Sequence, residues 1–137
     1  MSRQPACATP LTAPIVTRAA LARCLLTLQA VSEFYRATTR KGMMAPGDAR
    51  QLAKARLTLF PTAAASAGAV RTALELAANG RSSYWHALLL ATAAEAGCAA
   101  ILTEDLADGS VLAGVRIINP FAGSVLSPGA EALLADD

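Results

Sequence analysis

Along this chain, short apolar runs alternate with longer segments in which apolar positions recur at helical spacing. Cys24–Gln29, Cys98–Thr103 and Val115–Asn119 are compact runs that do not alternate with polar residues, the pattern of strands buried on both faces. Between them the spacing predicts four helices. The first runs from about Gln29 to Lys41, with Val31, Phe34, Tyr35 and Thr38 on one face, and stops at Gly42. The second, Pro46 to Leu59, opens on a proline in its first turn and Asp48 near its N-terminus, and carries Leu52, Ala55, Arg56 and Leu59 at helical spacing. Ser66 caps a third over Ala67–Ala78, with Val70, Leu74 and Leu76 inward and Asn79–Gly80 at its end. Ser82 or Ser83 caps the fourth, Tyr84 to Ala96; its residues are nearly all uncharged, so it is predicted to be the central helix.

Weaker signals fill the rest. Phe60–Ala64 reads as a short edge strand, and Ile15–Thr17 as a very short one. Glu104–Gly114 reads as a polar loop, and the C-terminal stretch as a loose tail with a short helix near Ala130–Leu134. The division is an extended or poorly ordered arm over residues 1–22, a domain over 23–122 and a tail over 123–137. Helices separated by short apolar strands make an α/β chain whose parallel sheet is covered on both faces, with function gathered beyond the carboxyl ends of the strands.

Composition sharpens this picture. At 137 residues and 54% hydrophobic content, the chain can bury a real core and is too apolar for intrinsic disorder. A net charge of +2 does not by itself announce a nucleic-acid binder. No signal peptide or membrane span is expected; the longest apolar stretch, Ala87–Leu102, is interrupted by Glu95 and Gly97. Cys7, Cys24 and Cys98 form no zinc pattern and read as reduced thiols of a cytoplasmic protein.

Only 10 acids are available for metal or acid–base chemistry. Glu33 follows one predicted strand, and Asp105, beside Glu104, follows another; in a parallel sheet both point to the same edge. Carboxylates converging there suit Mg²⁺ or Mn²⁺, although polar residues at element ends need no such role. His86, the single histidine, opens the most apolar helix, as a base, a ligand or a pocket-lining residue. Arg36, Arg40, Lys41, Arg50, Lys54 and Arg56 crowd one region, either a phosphate-facing surface or a solvated helix face. No glycine-rich phosphate loop and no Ser or Cys nucleophile paired with a base is present.

Several of these runs resemble one family. Ser83–Ala91, Ala94–Cys98, Leu102–Leu106 with Asp108–Gly109, and Val115–Phe121 resemble the second half of bacterial PIN domains, most closely VapC-type toxins of toxin–antitoxin pairs. Leu26–Tyr35, with Thr39–Lys41, resembles the segment that carries this family's second acid. The resemblance covers about Cys24 to Phe121. It implies a three-layer α/β/α fold around a short parallel sheet, and a metal-dependent ribonuclease whose four acids surround Mg²⁺ or Mn²⁺. The second acid matches Glu33 and the fourth Asp105. The third position is His86. The first, normally on the opening strand, has no counterpart, because residues 1–23 contain no acid; the first family strand is expected to be missing or replaced.

The resemblance therefore implies a ribonuclease scaffold with a degenerate site. Glu33, Asp105 and His86 are the catalytic candidates, Glu33 and Asp105 the metal ligands, and Thr103, Glu104 and Asp108 supporting residues. Mg or Mn is the cofactor if the site is active, and none otherwise. Arg36, Arg40, Lys41, Lys54 and Arg56 are the candidates for RNA contact. An antitoxin protein, RNA and a second copy are the implied partners, and no membrane. Two alternatives stand beside this reading: an active Mg- or Mn-dependent endoribonuclease toxin using Glu33 and Asp105 with His86, and a dimerising structural remnant.

Overall fold

A computed structural model describes residues 6–8, 24–103, 106–123 and 125–135. It contains a six-stranded sheet, a two-stranded hairpin and five helices among the described residues. The strands are β1 (Ala6–Ala8), β2 (Leu25–Thr27), β3 (Thr62–Ala63), β4 (Ala100–Leu102), β5 (Val111–Leu112), β6 (Val115–Ile118), β7 (Phe121–Ala122) and β8 (Val125–Leu126). The helices are α1 (Leu28–Arg40), α2 (Pro46–Leu59), α3 (Ala67–Ala78), α4 (Tyr84–Glu95) and α5 (Pro128–Leu134). The large sheet has the order β3-β2-β1-β4-β6-β5 and is parallel except for β5.

The order explains the layers. From β2 the chain moves outward through α1 and α2 to β3; it then returns through α3 and α4 across the sheet to β4. Crossovers between parallel strands are right-handed, so opposite directions of travel put the two helix pairs on opposite faces. All three residues of β4 are buried, as a strand covered on both faces requires. Leu26, Leu90, Ile101, Leu102 and Val115 are fully buried in this core, with the larger Phe60 beside them.

Local capping sets the helix ends. The side chains of Thr27, Ser66, Ser83 and Ser127 each accept a backbone N–H from the first turn of α1, α3, α4 and α5. Pro46 begins α2 where its missing N–H has no partner to lose. Gly97 ends α4 at φ +84°, a conformation that side chains with a Cβ resist. α4 is the central helix, with every residue from Ala87 to Ala93 buried.

Four expectations change. Within the expected N-terminal arm, Ala6–Ala8 is a strand paired in parallel with both β2 and β4, with Cys7 opposite Leu25 and Ile101. It occupies the middle of the sheet, so the central gap expected from a missing first strand is filled; Ile15–Thr17 lies outside the described residues. The C-terminal stretch is not loose: Ala130 and Leu134 of α5 are buried in the core. The Glu104–Gly114 loop contains β5, which forms a hairpin with β6 through Ala113 and Gly114, both at positive φ. Finally, α3 buries Ala69 and Ala73 while Leu74 is 54% exposed. α3 packs on α4 through Ala69, Ala73, Ala87 and Ala91, because small residues let two helices approach closely.

Candidate functional site at the carboxyl edge of the sheet

Parallel β2, β4 and β6 end on one edge, at Thr27, Leu102 and Ile118, with Thr103 and Asn119 just beyond. Thr27 is buried, and its hydroxyl accepts the Ala30 N–H at 3.1 Å, capping α1. Thr103 is also buried, and its N–H donates to the Ile118 carbonyl at 3.1 Å, so β4 and β6 stay paired to their ends.

Glu33 lies in the second turn of α1 and is exposed. Gln29, one turn earlier, donates through Nε2 to Glu33 Oε1 and to the Trp85 carbonyl, both at 2.9 Å. One amide thus ties the Glu33 carboxylate to the first turn of α4, next to His86. The sequence pattern does not single out Gln29 as a site residue; its place four residues before Glu33 is the one signal available there. Gln29 Oε1 is buried and has no hydrogen-bond partner.

His86 is half-buried, and its backbone N–H donates to Ser83 Oγ at 3.3 Å. Its side chain lines a cleft of 360 Å³ between the start of α4 and the β4–β5 connection, together with Arg81 and Ser110. Arg81 carries no sequence signal for this place. Asp108 is committed to the backbone of a nearby corner. Its Oδ1 accepts the Asn119 N–H at 2.8 Å and holds the exit of β6. Asn119 Oδ1 in turn accepts the Phe121 N–H at 2.9 Å, and the Asn119 carbonyl accepts the Ser127 hydroxyl at 2.6 Å. Glu104 and Asp105 lie outside the described residues.

The basic residues divide. Arg36, Arg40 and Lys41 are exposed towards the end of α1. Arg50 and Lys54 are exposed along one side of α2, where they border a shallow groove of 510 Å³ with Gln51 and Thr58. Arg56 is different: its guanidinium lies over the Phe34 ring, 4.1 Å from the centroid, and its burial lowers its pKa. It joins α1 to α2 rather than facing outward with Lys54.

Among the described residues, no three His, Cys, Asp or Glu side chains come together to hold a metal ion. Mg²⁺ needs several oxygen ligands, and Glu33, even with the His86 imidazole added, falls short of that set. The described residues therefore do not by themselves fit such an ion. The thiols of Cys24 and Cys98 are buried and form no disulfide. Burial, and to a lesser extent the proximity of Cys98, pushes the Cys24 thiol up to about 11, which makes it a poor nucleophile.

No family model matches the chain, and no curated protein matches it in sequence. The sheet, the helices and the edge make an α/β protein; among the described residues, no helix is long and apolar enough to cross a membrane.

Proposed function

We propose that this chain is a PIN-like, VapC-type ribonuclease scaffold that retains RNA binding and has little or no hydrolytic activity. The observation that carries the reading is the Gln29 bridge. It brings the carboxylate of Glu33 to the first turn of α4 at the carboxyl edge of a parallel sheet, and Glu33 and His86 are the positions the resemblance marks as second and third in the site. Weak hydrolysis follows from the donors: an imidazole replaces a carboxylate at residue 86, and too little negative charge is left to hold Mg²⁺ firmly. If a metal binds, Glu33 with Asp105 is the pair the resemblance assigns to it, and it would supply Lewis-acid stabilisation of a phosphodiester. Arg50 and Lys54 on α2, with Arg36, Arg40 and Lys41 on α1, supply the phosphate-facing charge.

The same reading assigns an antitoxin-type protein partner, pairing of two copies through helical surfaces, and a cytoplasmic location. Exposed Leu52, Leu57 and Leu59 on α2 offer apolar surface for such contacts. Cys24 and Cys98, buried and not joined in a disulfide, suit a reducing compartment.

The test is to incubate purified protein with structured RNA and Mg²⁺ or Mn²⁺, beside Glu33→Gln and Asp105→Asn variants, and to measure RNA binding over a salt series. Expected are binding that weakens with salt, a shallower salt slope in an Arg50→Ala/Lys54→Ala variant, and negligible cleavage. Cleavage abolished by either acid substitution would establish the active endoribonuclease instead. Absence of RNA binding would overturn the reading altogether.

A further inference from the structure

The cleft beside His86 has a mixed lining. Arg81, His86, Ser83 and Ser110 bring polar groups to it, and Leu106, Leu112 and Ile117 bring apolar ones. Its 360 Å³ lies within the size range of small-molecule sites, roughly 300–1,000 Å³. None of the described lining residues is acidic, and the exposed Arg81 has no acid partner among the described residues. A permanent positive charge on the rim of an apolar-walled cleft creates a local field that concentrates anions.

The donors narrow the class of anion. An arginine offers five N–H groups in a fixed fork, and the imidazole adds another. That is more than the two oxygens of a carboxylate use, and it suits the three terminal oxygens of a phosphate monoester. The apolar part of the lining, Leu106, Leu112 and Ile117, would cover an organic body rather than a bare ion. We propose that this cleft binds a phosphomonoester carried on a flat or branched apolar body. The binding shares His86 with the nuclease reading but needs neither Glu33 nor a metal, so a titration in EDTA tests it apart from hydrolysis.

The chain carries its own reporters: the single histidine lines the cleft, and the single tryptophan, Trp85, precedes it in the chain. The full chain in EDTA is titrated with adenosine 5′-monophosphate, adenosine and inorganic phosphate, following the His86 imidazole resonances and Trp85 fluorescence. The monophosphate is expected to shift the His86 signals and to bind at least ~10-fold more tightly than adenosine or phosphate alone. Arg81→Gln, a change at an exposed residue, should weaken it about 10-fold, and Arg71→Gln, at an exposed position of α3 that does not line the cleft, should leave it unchanged. No shift with any probe at millimolar concentration, adenosine or phosphate binding as well as the monophosphate, or an Arg81→Gln protein with unaltered affinity would each overturn the assignment.

Discussion

Replacing Gln29 by leucine separates a residue kept for stability from one kept for position. Gln29 Nε2 makes two bonds at 2.9 Å, to Glu33 Oε1 and the Trp85 carbonyl. The bond across to α4 is worth about 1 kcal/mol, since water replaces a lost neutral hydrogen bond only in part. The bond to Glu33, an exposed pair one turn apart on a helix, adds about 0.3 kcal/mol. Against these, Gln29 Oε1 is buried without a partner, and an unmet buried acceptor costs about 1–3 kcal/mol. Leucine has similar bulk and removes all three terms. Gln29→Leu is therefore expected to lie within about 1 kcal/mol of the parent, despite deleting two good hydrogen bonds. Gln29→Glu, which turns the shared donor into a carboxylate facing two oxygens, should lose about 2 kcal/mol. Urea unfolding followed by Trp85 fluorescence measures both through the midpoint and slope. If Gln29→Leu costs more than about 2 kcal/mol, the amide is a structural staple and the positioning argument fails. A neutral Gln29→Glu would mean that the two bonds are not formed in solution.

Further predictions follow from burial and backbone geometry. Leu90 is fully buried at the middle of α4, so Leu90→Ala should cost about 3 kcal/mol in chemical unfolding; a loss below about 1 kcal/mol would contradict its place in the core. Ala113 sits at φ 54° in the β5–β6 turn, where a side chain is strained, so Ala113→Gly should raise stability by about 1 kcal/mol, read as a higher melting temperature. The Cys24 thiol is raised from 9.0 to about 11 in the folded chain, so its contribution is fully present below pH 9 and lost as pH rises towards 11. Between those values the unfolded state holds fewer protons, stability falls with pH, and Cys24→Ala should flatten that fall in a pH series of urea melts.

What is legible in the sequence depends on how local each determinant is. The limits of α2 and α3 follow from Pro46, Ser66 and the Asn79–Gly80 end, signals that act within one turn, and the structure places both helices over the expected residues. β1 is not legible because Ala6–Ala8 carries no strand preference of its own; its conformation comes from pairing with β2 and β4, which are far away in sequence. The inward face of α3 differs from expectation because apolarity favours Leu74, whereas close packing on α4 favours Ala69 and Ala73. At the site, Glu33 and His86 are visible as residue types at element ends. Gln29 is not, since its importance lies in a carbonyl on another helix. Arg56 resembles part of a charged surface in sequence, and only its contact with Phe34 sets it apart.

The three residues of β1 join two halves of the sheet, β3-β2 on one side and β4-β6-β5 on the other. Its partners include Ala100, so β1 closes the sheet only after the distant β4 has been synthesised. Until then, each half presents an open backbone edge to its surroundings. Sheet closure, with its long loop to bring together, should be the slow step of folding, and the nascent chain is most vulnerable to mispairing just before that seam forms.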